Sequence, residues 1–159
     1  MDIINYGLHN MANTKKFSLN GMCTFARLID VYDGDTITCI FPLYNNFYQF
    51  NCRVNGIDTS EIKNKNEKEK EKAYLARSCV LDYCNGKDVQ IERHAPRKHI
   101  QEYLDKNVTV IWLKCHELDK YGRVIVDVYK DSNYSETLTE YLLKRDLGYE
   151  YYGGTKKEV

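Results

Sequence analysis

The sequence has no excess charge of either sign, no long hydrophobic run and no internal repeat. Lys and Arg together number 23, and Asp and Glu also number 23, so the formal net charge is zero. This balance excludes the strongly basic composition of many nucleic-acid-binding domains, so any contact with a polyanion has to come from local clusters of basic side chains. No apolar segment approaches transmembrane length, and the polar N-terminus is unlike a signal peptide.

The cysteines lack the paired spacing that zinc sites and disulfide frameworks use. Six cysteines stand at positions 23, 39, 52, 79, 84 and 115, and none forms a Cys-x-x-Cys motif. Most lie in apolar runs, where a free cysteine packs as a small hydrophobic side chain. We therefore expect an intracellular, cytoplasmic protein in a reducing compartment, without a membrane partner.

The chain is long enough for one domain with its own core. It has 159 residues, of which 43% are hydrophobic and 13% aromatic, including 14 tyrosines. A domain of this size buries roughly two-thirds of its unfolded surface and needs no covalent stapling. Residues 1–20 are polar and aperiodic, so we expect a flexible N-terminal extension followed by a single domain over residues 21–159.

Short alternating segments predict a β-sheet. Strand composition over residues 22–32 leads into Asp33-Gly34, a strong hairpin signal, and a second strand follows over Thr36–Phe41. Alternation in a third strand puts Arg53 on the face opposite Cys52 and Val54. This third strand covers residues 47–55, and further strand-like segments are predicted over residues 88–92, 108–115 and 124–129.

Helical periodicity completes the predicted fold. Ala73, Ala76, Val80 and Cys84 repeat at helical spacing within residues 64–84, and Asn85-Gly86 favours a left-handed cap. A second helix is predicted over residues 137–145, with Gly148 as its end. The expected class is α+β, a five-stranded barrel of the OB type with one helix after strand 3, a C-terminal helix, and an insertion at about 87–107, before strand 4 or 5.

Carboxylates and arginines stand at three predicted turns. Asp33-Gly34-Asp35-Thr36 forms the first, Asp58-Thr59-Ser60-Glu61 follows the strand that carries Arg53, and Lys120-Tyr121-Gly122-Arg123 forms the third. Carboxylate and hydroxyl oxygens suit a hard cation such as calcium, and a guanidinium matches phosphate. Together they favour a site that cleaves phosphodiesters.

Each motif alone has an ordinary structural explanation. Asp33-Gly34 is a common hairpin turn, Asp58-Thr59-Ser60 resembles a helix N-cap, and an arginine on a strand is usually a surface residue. Two other functions stay open at this point. One is a non-catalytic OB-type module that binds nucleic acid or protein, and the other is an interaction domain that calcium stabilises.

The motifs resemble those of the staphylococcal nuclease-like family, from about Thr24 to Tyr152. The matching text is Val-Tyr-Asp33-Gly-Asp-Thr, then Arg53-Val-Asn-Gly-Ile-Asp-Thr-Ser-Glu, then Asp119-Lys-Tyr-Gly-Arg. The resemblance implies an OB-type barrel with helices and calcium-dependent cleavage of DNA and RNA. It also implies a monomer that acts on single-stranded DNA, RNA or unpaired regions and leaves 3′-phosphate ends.

The resemblance implies a metal site built from oxygen ligands. Asp35 and Asp58 would bind calcium through their carboxylates, and Thr59 would bind it through its backbone carbonyl. Asp33 would support the site from close by. The family usually has proline where this chain has Ser60, so we expect that turn to be looser.

Catalytic and nucleotide-binding roles follow from the same resemblance. Glu61 would hold or deprotonate the attacking water, and Arg53 and Arg123 would clamp the phosphate. The nucleotide would lie near four tyrosines, Tyr121, Tyr149, Tyr151 and Tyr152.

Overall fold

The computed structural model describes residues 3–153, so the outer ends of the two predicted regions, residues 1–2 and 154–159, lie outside the described part. Seven strands, three α-helices and one short 3-10 helix (Ile3–Leu8) make up the described chain. The elements in order are β1 (Cys23–Val31), β2 (Thr36–Leu43), β3 (Asn46–Val54), β4 (Gly56–Thr59), α1 (Glu67–Asn85), α2 (Arg97–Lys106), β5 (Val110–Leu118), β6 (Val124–Tyr129), α3 (Leu138–Lys144) and β7 (Gly148–Tyr151).

Five of the strands close into a barrel in the order β1-β2-β3-β6-β5. Neighbouring strands are antiparallel except β3 and β6, which run parallel and pair only over Cys52–Val54 and Val124–Val126. Alternate side chains of each strand point inward, and Val124, Val126 and Val128 of β6 are all buried. The α+β class, the five-stranded barrel and the helix after the third barrel strand are confirmed.

Local chemistry fixes both ends of α1. The Asn66 side chain accepts hydrogen bonds from the N–H groups of Lys68 and Glu69, and Gly86 closes the helix with a left-handed φ of 69°. Ala73 and Ala76 face the core as the spacing predicts. None of the helices in the described part of the chain has the length and apolarity needed to cross a membrane.

A second sheet of two short strands was missed. β4 pairs with β7, and all four residues of β4 are buried, so this strand carries no alternating pattern that could reveal it. Gly148 begins β7 and does not end the preceding helix, which stops at Lys144. The β-like piece predicted over residues 88–92 is irregular, because Val89 donates its N–H to the Asp82 side chain and pairs with no strand.

The predicted insertion contributes α2, which packs on β1. Arg97 of α2 forms an ion pair with the buried carboxylate of Asp30 at 2.5 Å. Arg77 of α1 is buried and donates to the carbonyls of Arg93 and Ala95. At the other end of the chain, Leu19 of the predicted extension packs into the core. These contacts hold both segments against the barrel.

Candidate active site

Five segments meet at one end of the barrel and form a cleft of about 790 Å³. They are the β1–β2 turn, the junction between β3 and β4, the segment after β4, the β5–β6 turn and the end of β7. Eight of the residues predicted from the sequence line this cleft, namely Asp33, Asp35, Arg53, Glu61, Tyr121, Arg123, Tyr151 and Tyr152. The other three do not line it: Asp58 and Thr59 bond the lining residues Arg53 and Asp35, and Tyr149 bonds Asp58.

The guanidinium of Arg53 bridges two buried carboxylates. Its Nη1 lies 3.4 Å from Asp35 Oδ2, and its Nη2 lies 3.2 Å from Asp58 Oδ1. The side chain is also held by the backbone, since Nη1 donates to the carbonyl of Val54 at 3.1 Å. Buried carboxylates require compensating charge or hydrogen bonds. One guanidinium for two carboxylates leaves negative charge in excess at this site.

Neutral donors also bind these two carboxylates. The backbone N–H of Thr59 donates to Asp35 Oδ2 at 2.9 Å, and its hydroxyl lies 3.2 Å from the same atom. The Tyr149 hydroxyl donates to Asp58 Oδ2 at 2.7 Å. Asp58 and Tyr149 are cross-strand neighbours in the β4–β7 pair. Tyr149 therefore supports a carboxylate and does not line the cleft.

Gly34 allows the two acidic segments to approach each other. A Cβ atom at this position would lie 2.7 Å from Thr59 Cγ2 and 2.9 Å from Ala76 Cβ. Both distances are shorter than van der Waals contact between carbon atoms. The glycine of the hairpin motif is thus required for close packing against β4 and α1, in addition to its role in the turn.

Asp33 supports the turn as a hydrogen-bond acceptor. Its Oδ1 accepts from the backbone N–H of Asp35 at 3.1 Å. Burial, and then the neighbouring Asp35 carboxylate, raise the pKa of Asp33 from 3.8 to about 8. Both effects favour the neutral form of the Asp33 carboxyl group.

Arg123 reaches the cleft from the β5–β6 turn and is oriented by Asp119. Its Nε donates to Asp119 Oδ2 at 2.7 Å, and its Nη1 lies 3.4 Å from the Thr36 hydroxyl. Asp119 Oδ1 accepts from the backbone N–H groups of Tyr121 and Arg123, both at 2.9 Å. Burial alone would raise the pKa of Asp119, but these hydrogen bonds outweigh it and lower the pKa.

The role of Asp119 was not predicted, although its motif was recognised. The available signal was an aspartate two residues before Tyr121 in a glycine-containing turn, since such side chains bond the backbone two residues ahead. If the cleft hydrolyses phosphodiesters, Asp119→Asn should reduce kcat about 10-fold with little change in KM, because a displaced guanidinium stabilises the transition state less well.

The kinetics of a double variant distinguish this positioning role of Asp119 from a general structural role. If Asp119 acts through Arg123, then Asp119→Asn adds almost nothing to the loss caused by Arg123→Lys. Asp131→Asn is the matched control, since Asp131 makes the same kind of turn bond, to the N–H of Asn133 at 2.9 Å. Additive losses in the double variant would contradict the assignment.

Aromatic side chains line the outer part of the cleft. Tyr121 and Tyr152 are 72% and 76% exposed, and the Tyr151 ring centroid lies 5.9 Å from Arg53 Cζ. Glu61 is exposed on the cleft wall. Exposed rings beside cationic groups form a surface on which nucleic-acid bases stack.

Ser60 anchors the segment that carries Glu61. The Ser60 hydroxyl donates to the Glu69 carboxylate at 2.5 Å, which links this segment to the first turn of α1. A proline at this position would fix the backbone but could not form this bond. We expected a looser turn because serine replaces proline, and this hydrogen bond is a restraint that the expectation did not include.

The donor set fits a weakly bound hard cation. No group of three or more His, Cys, Asp or Glu side chains suited to a metal occurs among residues 3–153. Asp35, Asp58 and the Thr59 carbonyl are nevertheless oxygen donors, and the two carboxylates exceed the charge of Arg53. Calcium accepts such ligands and completes its coordination with water, and Asp35 is the one of these three donors that lines the cleft.

No family model matches this chain, and a search of curated proteins finds none with significant sequence similarity.

Proposed function

We propose that this protein is a calcium-dependent nuclease that hydrolyses phosphodiester bonds of DNA and RNA. The observation that carries the proposal is the Arg53 bridge between two buried carboxylates, in a cleft that also contains Glu61 and Arg123. Two carboxylates beside a bound polyanion would weaken simple binding, because like charges repel. In a metal-assisted phosphodiesterase, the carboxylates would bind the metal and the arginines would bind the phosphate.

The two arginines bind the scissile phosphate in this mechanism. Arg53 approaches from β3 and Arg123 from the β5–β6 turn, and both line the cleft. A guanidinium donates two parallel hydrogen bonds to phosphate oxygens, and these bonds strengthen as charge accumulates in the transition state. Arg53 and Arg123 therefore orient the phosphate and stabilise the five-coordinate transition state.

Glu61 orients the attacking water and accepts its proton. The oxygen of that water bonds to phosphorus while the bond from phosphorus to the 5′ oxygen breaks. The leaving 5′ oxygen takes a proton from a solvent water, and Glu61 then releases the proton it accepted to solvent, which restores the carboxylate. The products are a 3′-phosphate end and a 5′-hydroxyl end. A carboxylate in this position accelerates the reaction by about 10² to 10⁴.

The calcium ion would be held by Asp35, Asp58 and the backbone carbonyl of Thr59, with Asp33 in support. When bound, calcium polarises a phosphoryl oxygen and lowers the charge that repels the nucleophile. The Thr59 N–H and the Tyr149 hydroxyl keep the two carboxylates in place for this role.

Unpaired strands are the preferred substrate in this proposal. Tyr121 and Tyr152 offer exposed ring faces at the cleft. Bases that are already unstacked from a duplex reach such rings without the cost of melting base pairs. All six cysteines are free thiols, which supports an intracellular site of action.

The deciding test is digestion of single-stranded DNA and RNA with calcium or with a chelator. We expect calcium-dependent degradation that leaves 3′-phosphate ends, and a loss of activity of about 10³-fold in Arg123→Lys, which removes the bidentate fork. Arg145→Lys is the matched control because Arg145 is exposed, lies outside the cleft, and contacts the carbonyl and the ring of Tyr141. Tight binding of both nucleic acids without degradation, under every divalent metal tried, would refute the proposal.

A further inference from the structure

The barrel closes through a short pairing of β3 with β6, and this short pairing leaves part of the β3 edge open. β3 pairs with β2 from Asn46 to Arg53, but its parallel pairing with β6 begins only at Cys52. Among the strands of the described part of the chain, the first part of β3 therefore has a neighbour on one side alone. An unpaired strand edge presents a row of backbone donors and acceptors to any chain that reaches it.

The hairpin turn determines which backbone groups face outward. Tyr44 and Asn45 both have positive φ, 50° and 66°, as in a type I′ turn, so Leu43 and Asn46 form the closing hydrogen-bonded pair. Hydrogen-bonded pairs alternate along an antiparallel ladder, and Phe47 and Gln49 therefore point their N–H and C=O groups away from β2. Within residues 3–153 these groups have no backbone partner.

Pro42 agrees with this register. It stands opposite Phe47, in a pair that does not exchange hydrogen bonds, so its missing N–H costs nothing in the β2–β3 ladder. Proline blocks strand addition on the edge that its nitrogen faces, which here is the free side of β2. The edge of β3 has no such protection.

Charge does not protect the β3 edge either. No charged residue or histidine occurs over residues 36–52, although 29% of the chain is charged. Aromatic side chains are exposed on the same hairpin, with Tyr44 at 78%, Phe47 at 73% and Tyr48 at 48%. Natural proteins usually guard an exposed edge with lysine, proline or a bulge. An edge without these devices is suited to pairing.

We propose that two copies of this chain associate through antiparallel pairing of their β3 edges. A two-fold axis beside Tyr48 sets Phe47 of each copy opposite Gln49 of the other, so the free groups of both residues are used. About four backbone hydrogen bonds result. The neutral edge brings no like charges together, and the zero net charge gives two copies no long-range repulsion.

This dimer is weak and leaves the cleft open. The paired segment is shorter than a standard interface, so association depends on protein concentration. None of the residues from 37 to 52 lines the cleft, and both copies therefore keep it accessible. Association replaces the monomer expected from the sequence, and it holds whether or not the protein is a nuclease.

Sedimentation equilibrium over a wide concentration range tests the pairing. We expect the weight-average mass to rise from 18.7 kDa toward twice that value. Gln49→Pro removes an outward N–H that β2 does not use, so it should raise the dissociation constant at least about 10-fold while the circular dichroism spectrum stays unchanged. A mass of 18.7 kDa at every concentration would overturn the proposal.

Charged substitutions at Gln49 test the register of the proposed β3 pairing without introducing a proline. In the proposed pairing the two Gln49 side chains lie diagonally across the axis, where long side chains reach each other. Gln49→Lys and Gln49→Glu should each stay monomeric, and an equimolar mixture should associate. Ser132→Lys, at an exposed turn position, is the control and should associate like the unsubstituted protein. A mixture that stays monomeric, or a Gln49→Lys variant that still dimerises, would exclude the β3 edge.

Discussion

Replacing Arg53 with glutamine is expected to abolish nuclease activity and to make the protein's stability depend on calcium. The arginine side chain is 11% exposed and is the cation between Asp35 and Asp58. Removing one partner of a buried ion pair typically costs about 3 kcal/mol or more, because the other charge stays buried without compensation. Loss of a phosphate clamp lowers kcat by about 10³-fold.

Calcium should restore part of the stability lost in this variant. A cation that binds the folded state between two uncompensated carboxylates shifts the unfolding equilibrium toward the folded form. The melting temperature of Arg53→Gln should therefore rise more on addition of calcium than that of the unsubstituted protein. This readout tests the calcium site without requiring any catalytic activity.

Arg27→Gln provides the matched control for Arg53→Gln. Arg27 is also a half-buried arginine on a strand, but it donates to the carbonyls of Leu104 and Asp105 and forms no ion pair with a carboxylate of residues 3–153. Its replacement should lower the melting temperature equally in calcium and in chelator. Equal calcium responses in both variants would show that the carboxylates at Arg53 do not bind the ion.

Replacing Glu61 with glutamine is expected to lower kcat by about 10² to 10⁴ while leaving the fold intact. The amide keeps the size of the side chain but cannot accept a proton from water. Glu61 is exposed, so its substitution removes little packing and the melting temperature should change little. Initial rates on single-stranded DNA at saturating calcium measure the effect.

A control variant at another glutamate distinguishes a loss of catalysis from the effect of removing one negative charge. Glu102 on α2 is exposed and lies outside the cleft. Glu102→Gln should therefore retain full activity. Activity of Glu61→Gln within a few-fold of the unsubstituted protein would remove Glu61 from the mechanism and assign water activation to another group.

Turn chemistry made much of the candidate site predictable. Asp33-Gly34 specifies a hairpin locally, and strand alternation puts Arg53 on the face opposite Cys52 without knowledge of any other element. The turn containing Gly122 likewise carries Arg123 to the same end of the barrel. Each of these features depends on residues that are close together in the chain.

The supporting roles of Tyr149 and Asp119 were not predicted. Tyr149 hydrogen-bonds Asp58 across 91 positions of sequence, through a strand pair that is too short and too buried to leave a periodic signal. Asp119 is close to Arg123 in the chain, but the local sequence permits several conformations of its side chain. The conformation that bonds the Arg123 guanidinium is one of them. Long-range packing selects among them.

The sequence by itself determined the barrel strands, the caps of α1 and the residue types available for chemistry, because periodicity, turn propensity and capping act over a few residues. Only the tertiary structure decided that one guanidinium would join the Asp35 and Asp58 carboxylates. It also decided that β6 would close the barrel at Cys52 and leave the rest of the β3 edge open. Both outcomes follow from how distant segments fit together when the core packs, and no local pattern encodes that fit.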